Sequence, residues 1–468
     1  MGEEFREAEK LTPKPPPAGA AKPHGLQSTH IYVPHSKSML QRALLAAAWA
    51  GGETRLIFPC DPGPPGSQGA DVADLILSLG ALGLGIEPSK GGWVWGLSAP
   101  GFASLGSVTV ALGESATAAR ICTAALAFAG RPGSIRSLGV SGTLASRSSQ
   151  ALMATLNTAG CKVQCAGPGS WPLALSSVAM PPELELVDPV SSQEVSALLF
   201  ALAFEGGGRL TVRGEIPSKP YLEMTLSVLR TFGIGVKRIG GTETHFLLAR
   251  KEGESLPDAD FQRRRVQVEC DASSAAVAWS AGLLARTPVC VAGIERDGVQ
   301  GDVRILDMLA GAGASVIGEG AHAWRVEGAL SKGLQVSLAD TPDLAPPLAA
   351  LAAGLALGHF GDPVPSRLSG LGTLDGKESA RLEVLCSGLQ SIGIQARRGA
   401  DWLEIPVGSA LSDPIVLDAH NDHRMAFAFG LMALVVPTIR VEGRRCVSKS
   451  WPGFWEMLAS LPSERLEE

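Results

Sequence analysis

One local pattern recurs six times along this chain. A short run of small polar residues gives way to an Ala/Leu-rich stretch at Ser36-Lys37-Ser38, Gly113 to Thr117, Ser191-Ser192-Gln193, Asp271 to Ser274, Pro342-Asp343 and Asn421 to Arg424. Each is a helix start, because Ser, Asp and Asn side chains accept from the unpaired N–H groups of a first helical turn. The starts are spaced by roughly 72 to 80 residues. A second series interleaves with them, in which a helix closes on glycine and feeds a strand: Gly83, Gly160, Gly233, Gly313 and Gly393. Each unit therefore holds two helices and several β-rich runs, such as 107–112, 208–213, 266–270 and 414–417. The last unit has a helix-like stretch over 451–461 but no strand to match.

So long a period exceeds any solenoid repeat, and 468 residues exceed one ordinary core. Three units per domain gives two domains of mixed α/β class. Their boundary is expected in the polar, Pro-containing stretch 256–265 (LPDADFQRRR). A cleft between such domains, with several helix starts facing it, would favour anions, since unpaired N–H groups and the helix dipole both attract negative charge.

Composition narrows the function. Hydrophobic residues at 45% and charged ones at 18% describe a soluble globular chain. Two tyrosines and a formal net charge of −6 argue against a nucleic-acid or anionic-membrane surface. The eight cysteines show no CxxC spacing; Cys161 and Cys165, the one close pair, fall on a strand-like segment and read as structural thiols of a reduced, cytoplasmic protein. Residues 1–27, rich in Pro, Ala, Lys and Glu, lack an apolar signal core and read as a disordered tail. The longest apolar run, 344–357, contains Pro346 and Pro347 and reads as a buried helix, not a membrane span.

Cations gather at the helix starts: Lys37, Arg42, Arg120, Arg147, Lys377, Arg381, Arg424 and Lys449. In an acidic chain this concentration favours a multiply charged anionic ligand. The P-loop spacing is not met, since Gly372 to Glu378 has Glu where Ser or Thr is needed, and no HExxH, EF-hand or dinucleotide fingerprint occurs. Two carboxylates stand among the cations. Asp343 opens an apolar helix and Glu378 lies between Lys377 and Arg381; beside a bound phosphate compound they suit general acid–base work.

The series PHSKSMLQR (34–42), the helix start ending in Arg120, SSQ (191–193), SKPY (218–221), DASSAA (271–276), GDVR (301–304), PDLAPPLAALA (342–352), KESARL (377–382), NDHRMA (421–426) and SKSWPGF (448–454) resembles the 5-enolpyruvylshikimate-3-phosphate synthases. The resemblance runs in order over about residues 30–460. It implies a two-domain inside-out α/β barrel of six βαβαββ repeats, three per domain, with the active site in the interdomain cleft. The first domain would be 36–268 and the second 28–35 joined to 269–468. The implied reaction transfers the enolpyruvyl group of phosphoenolpyruvate to the 5-hydroxyl of shikimate 3-phosphate, with no metal or organic cofactor, in a monomer whose partners are those two small molecules. By the same resemblance Lys37, Ser38, Arg42, Ser191, Ser192, Ser218, Tyr221, Asp343, Thr373 and Lys377 would hold shikimate 3-phosphate. Lys37, Ala116, Arg120, Arg147, Gln193, Arg381, Arg424 and Lys449 would hold phosphoenolpyruvate, with Asp343, Glu378 and Lys37 catalytic.

Several positions depart from the family pattern. His35 stands where glycine is usual. Glu114, Ser115 and Ala116 replace Asn, Ala and Gly-like residues; Ser148 replaces Pro, and Thr373 replaces a common Asn. The Ala116 methyl is expected to weaken phosphoenolpyruvate binding and exclude glyphosate. Two other functions fit these departures: a paralogous enolpyruvyl transferase acting on another phosphorylated or nucleotide-linked alcohol, and a non-catalytic anion-binding protein of the same fold. SKPY and SSQ favour shikimate 3-phosphate over the first, and the joint presence of Lys37, Asp343, Glu378, Arg381 and Lys449 argues against the second.

Overall fold

The computed structural model describes residues 28–241, 243–249 and 264–462. The tail at 1–27 and most of the boundary stretch 256–265 lie outside them. Among the described residues there are two helices for each unit. They are α1 (Lys37–Ala50) and α2 (Ala70–Ala81), α3 (Ala116–Phe128) and α4 (Gln150–Thr158), and α5 (Ser192–Phe204) and α6 (Lys219–Thr231). The second half continues with α7 (Ala272–Leu284) and α8 (Ile305–Ala312), α9 (Ala345–Ala356) and α10 (Arg381–Ser391), and α11 (His423–Met432) and α12 (Phe454–Ser460). Pro452 delays α12, so it begins later than the 451–461 reading expects.

Five of the six recurrent starts are capped by their own side chains. Ser36 accepts from the Met39 N–H at 3.5 Å, Ser115 from Ala118 at 3.3 Å, Ser191 from Gln193 at 3.2 Å, Asp271 from Ser274 at 2.7 Å and Asp422 from Arg424 at 2.9 Å. The sixth, at Asp343, is a 3₁₀ turn over Pro342–Leu344 that leads into α9; Pro346 and Pro347 occupy early helical positions, where a missing N–H costs little. The five glycines that end the alternate helices all have φ between +77° and +115°, the left-handed region a side chain would disfavour.

Five units carry a four-stranded sheet of one topology. In the first, Gly52–Ile57 pairs parallel with Arg265–Gln267 and antiparallel with Val94–Ala99, which pairs with Gly85–Pro88. The sixth unit has two parallel strands, Ile415–Asp418 and Ile439–Glu442. No sheet closes on itself among the described residues. The outer strand of the first sheet comes from residues 265–267, and that of the fourth comes from Thr29–Ile31, beside Val289–Ala292. The chain thus crosses between the two halves twice. The crossing segments run antiparallel, with the Ser36 N–H donating to Glu269 O at 2.8 Å and the Asp271 N–H to Pro34 O at 2.7 Å. The strand expected over 266–270 ends at Gln267, since residues 268–270 peel away into this crossing.

The first helix of each unit lies inside, and the second helices and the sheets lie outside. Every residue of α7, α9 and α11 is buried, as befits segments apolar on all sides. Small residues allow close helix contact; at Gly388 of α10 a Cβ would stand 2.6 Å from the Phe429 ring of α11. The strands alternate, as in Glu183–Val187, where Leu184 and Leu186 are buried and their neighbours exposed. The buried apolar residues form two cores. One runs from Met39 to Val268, and the other joins Ile31 and Val33 to residues from Cys270 to Leu461. In α1, α3 and α5 the residues that escape burial are Lys37, Ser38, Ala116 and Gln193 in the first turns, besides Ala50 at the far end of α1. Those first turns open onto one cleft.

Candidate active site

The starts of α1, α3, α5 and α6 from one lobe face those of α7, α11 and the 342–344 turn from the other. Lys37, Ser38, Ala116, Arg147, Ser191, Ser192, Gln193, Ser218, Tyr221, Asp343, Lys377, Glu378, Arg381 and Arg424 line the cleft between them. Arg120 and Thr373 line an adjoining recess, which shares Ala116, Arg147, Gln193, Ser218 and Lys377 with the cleft. Two sequence-predicted residues line neither. Arg42 is fully buried behind Ser38, its Nε donating to Thr225 Oγ1 and its NH1 to Ser38 O, each at 2.8 Å. Lys449 lies next to the lining residue Ser450 and reaches Glu378 Oε1 at 3.0 Å. Ser218 holds φ +52°, a strained conformation for a residue with a side chain and one often kept at functional positions.

Four of the eight cations are matched by the protein's own carboxylates. Lys37 Nζ lies 2.9 Å from Asp71, and Arg381 spans Asp422 (2.8 and 3.1 Å) and Asp343 (3.1 Å). Arg424 NH2 reaches Asp343 Oδ2 at 3.1 Å, and the Tyr221 hydroxyl donates to the same oxygen at 3.1 Å. Burial opposes the charge on Asp343, but Arg424, Lys377 and Arg381 together outweigh it and hold its carboxyl well below the usual range. Burial likewise opposes the charge of Glu378, and His423, Arg381 and Lys449 overcome it. His423 Nδ1 meets Glu378 Oε2 at 2.8 Å. Asp302 goes the other way: burial, then the neighbouring Asp343 charge, raise it to about 7.

Among the described residues that line the cleft and its recess, three of these cations make no ion pair. Arg147 keeps a buried Nε without a partner and touches only Thr143 at 3.0 Å. Lys377 is held below its ordinary pKa by burial and by Arg381 and Arg424, against the pull of Asp343. Arg120 donates to Ser149 Oγ and Gln193 Oε1, each at 2.7 Å, and burial draws it down to about 10. An anionic ligand would relieve all three, so these groups mark where negative charge is wanted.

Of the departures, Glu114 turns into the cleft. Its Oε2 lies 3.2 Å from Lys449 Nζ, across the lobes, and accepts from Thr143 Oγ1 at 3.3 Å. Sequence reasoning gave no role to Asp71, Asp302, Asp422 or His423. The last three lie in quoted motifs, GDVR and NDHRMA, so the signal was present; Asp71 follows an uncapped helix start at Gly69 and has none.

The geometry is matched by likeness to known proteins. A family model described as EPSP synthase (3-phosphoshikimate 1-carboxyvinyltransferase) matches residues 22–458. The chain belongs to the EPSP synthase family. A 3-phosphoshikimate 1-carboxyvinyltransferase of Laribacter hongkongensis is 32% identical, over 92% of this chain and 96% of that protein. One from Methanoculleus marisnigri is also 32% identical, over 91% and 94%. In fold the chain is similar to the EPSP synthase of Acinetobacter baumannii, with a TM-score of 0.69 at 22% identity, covering 94% of this chain and 97% of that one. The enolpyruvyl transferase NikO from Streptomyces tendae shares the fold at a TM-score of 0.64 and 18% identity, covering 94% and 95%. With EPSP synthase membership come the two-domain inside-out α/β fold and the reaction, transfer of the enolpyruvyl group of phosphoenolpyruvate to shikimate 3-phosphate. Among the described residues no helix is long and apolar enough to cross a membrane.

Proposed function

We propose that the transfer takes place in the cleft described above, with Asp343 as the base toward the 5-hydroxyl of shikimate 3-phosphate. The observation that carries this is the convergence of Asp343, Glu378, Lys37 and Arg424 on one wall-to-wall site. Ser38, Ser191, Ser192, Ser218, Tyr221, Thr373 and Lys377 hold shikimate 3-phosphate, with Arg42 bracing Ser38 from behind. Arg120, Arg147, Gln193, Arg381, Arg424 and Lys449 hold phosphoenolpyruvate, with Ala116 against it. Two phosphate esters repel by roughly 4 kcal/mol per unit-charge pair at about 4 Å and an effective dielectric near 20, and the cationic walls offset that.

The bonds follow in order. The 5-hydroxyl oxygen attacks C2 of phosphoenolpyruvate, Asp343 takes its proton, and C3 gains a proton from Lys37, or from Glu378 once substrate draws off the cations that keep it ionised. The tetrahedral adduct then returns a C3 proton to the group that gave it as the C2–O bond to phosphate breaks, with the departing charge held by the Arg/Lys cluster. Asp343 is a weak base while Arg381 and Arg424 grip it; a phosphoenolpyruvate carboxylate that engages those two guanidiniums raises its basicity when both substrates are present.

Two cores support a division at 36–268 and 28–35 plus 269–468. Because one chain supplies the whole site, we take the protein as a monomer, and its eight free cysteines suit a cytoplasmic one. The deciding assay measures phosphate released from phosphoenolpyruvate with shikimate 3-phosphate or with other alcohols. Release with shikimate 3-phosphate, abolished in Asp343→Asn, is expected; release that survives Asp343→Asn and Glu378→Gln would overturn the residue roles.

A further inference from the structure

A second cluster of reactive side chains lies where the chain crosses between lobes. Cys60 follows the strand Gly52–Ile57 of the first lobe, whereas His35 and Cys270 face each other on the two crossing segments. Cys60 Sγ stands 3.4 Å from His35 Nε2 and 3.8 Å from Cys270 Sγ, and the three atoms all lie within 4.8 Å of one another. Neither assigned function uses these thiols.

Two of the three separations are those between ligands of a tetrahedral metal ion. Zinc bonds of about 2.3 Å to sulfur and about 2.0 Å to nitrogen, at tetrahedral angles, place sulfur about 3.8 Å from sulfur and about 3.5 Å from nitrogen. A disulfide needs its sulfurs about 2.0 Å apart and has no use for the imidazole. The surroundings hold the donors in place. The Phe58 ring meets the His35 ring edge-on with centroids 4.9 Å apart. Gly293, at φ +80°, leaves room for Cys270, since a Cβ there would come within 2.6 Å of its sulfur. His35 and Cys270 are buried and Cys60 half-buried.

We propose that His35, Cys60 and Cys270 form a binding site for a thiophilic divalent cation such as zinc, with a water or an exogenous ligand completing the tetrahedron. Two sulfurs and one imidazole select zinc over magnesium or calcium. Bound there, the ion ties both crossing segments to the first lobe where the chain passes between the lobes. It stabilises the folded chain by mass action, because the unfolded chain does not hold the three donors together.

The test uses the full chain, reduced and freed of metal, then equilibrated with zinc sulfate and desalted. One zinc per chain by mass spectrometry is expected for the wild type, with retention at least about tenfold lower in Cys60→Ser and in His35→Gly. Cobalt(II) in place of zinc should give sulfur-to-metal charge-transfer absorption in the wild type that both variants lose. Zinc should raise the Tm of the wild type and not that of Cys60→Ser, which reports on folding by retaining its transferase activity. Equal zinc retention by wild type and both variants would overturn the proposal. So would a wild type that binds no zinc while its Cys60 and Cys270 thiols both prove free to alkylation after unfolding.

Discussion

Glu114 sets the terms for Lys449. Its carboxylate sits 3.2 Å from the ammonium proposed above to hold phosphoenolpyruvate, so on that proposal the substrate competes with it. The pair is only partly shielded from water, which limits its worth to about 1 kcal/mol or less. Glu114→Gln should therefore lower the KM for phosphoenolpyruvate by about two- to fivefold with little change in kcat; steady-state kinetics decide, and an unchanged KM would remove Glu114 from the site. Ala116, beside it at the start of α3, lines both the cleft and its recess. Ala116→Gly should lower that KM further and make the enzyme sensitive to glyphosate, read from inhibition curves of the two proteins. Asp302 supplies a pH signature. Its folded pKa of about 7 exceeds the ordinary value near 3.9, so between those values the folded chain keeps a proton that the unfolded chain gives up. Stability from this group is thus lost as pH rises through that window. Asp302→Asn should raise Tm relative to wild type at pH 8 and change it little at pH 4, measured by thermal melts.

At the scale of helices and strands, much was legible because the signals are local. A cap and a closing glycine act within one turn, so the six starts and the five glycine ends could be read directly, and the strand at 208–213 with them. Strand ends set by tertiary contact could not, as the early end at Gln267 shows. The site was legible in its cations and not in its counter-charges. Asp71 meets Lys37 from 34 positions away, and nothing in either segment announces the pair. Cys60 and Cys270 are 210 positions apart, beyond any spacing rule. The element most dependent on such a contact is α11. Asp422 caps it through the Arg424 N–H and takes both arms of Arg381 at the start of α10, with its own side chain wholly buried. Removing Arg381 leaves that carboxylate with the Arg424 N–H and Ser379 Oγ but without its guanidinium, at a cost of up to about 3–5 kcal/mol. Arg381→Ala should lose that much in urea unfolding, and Arg381→Lys, which cannot span both oxygens, a substantial part of it.

At the scale of the molecule, the charged contacts of the cleft divide unequally. Lys37–Asp71 lies within the first lobe, while Arg381–Asp343, Arg424–Asp343 and Lys449–Glu378 lie within the second. Two charge-assisted contacts at the site cross from one lobe to the other: Glu114 to Lys449, and the Tyr221 hydroxyl to Asp343. Each includes a group proposed above to hold a substrate, so on that proposal ligands replace bonds that join the lobes. A hydrogen bond to a charged group is worth about 1.5–3 kcal/mol, and each 1.4 kcal/mol changes a two-state ratio about tenfold. Losing both contacts should therefore shift the ligand-free chain markedly toward open forms. The double variant Glu114→Gln/Tyr221→Phe should show a larger radius of gyration than the wild type by small-angle scattering without ligands. Phosphoenolpyruvate and shikimate 3-phosphate together should bring the two back to a common, smaller value, since the remaining cations then close on the substrates. An identical radius for both ligand-free proteins would mean that the lobes are held by the crossing segments and apolar contacts alone, leaving Glu114 and Tyr221 no part in closure.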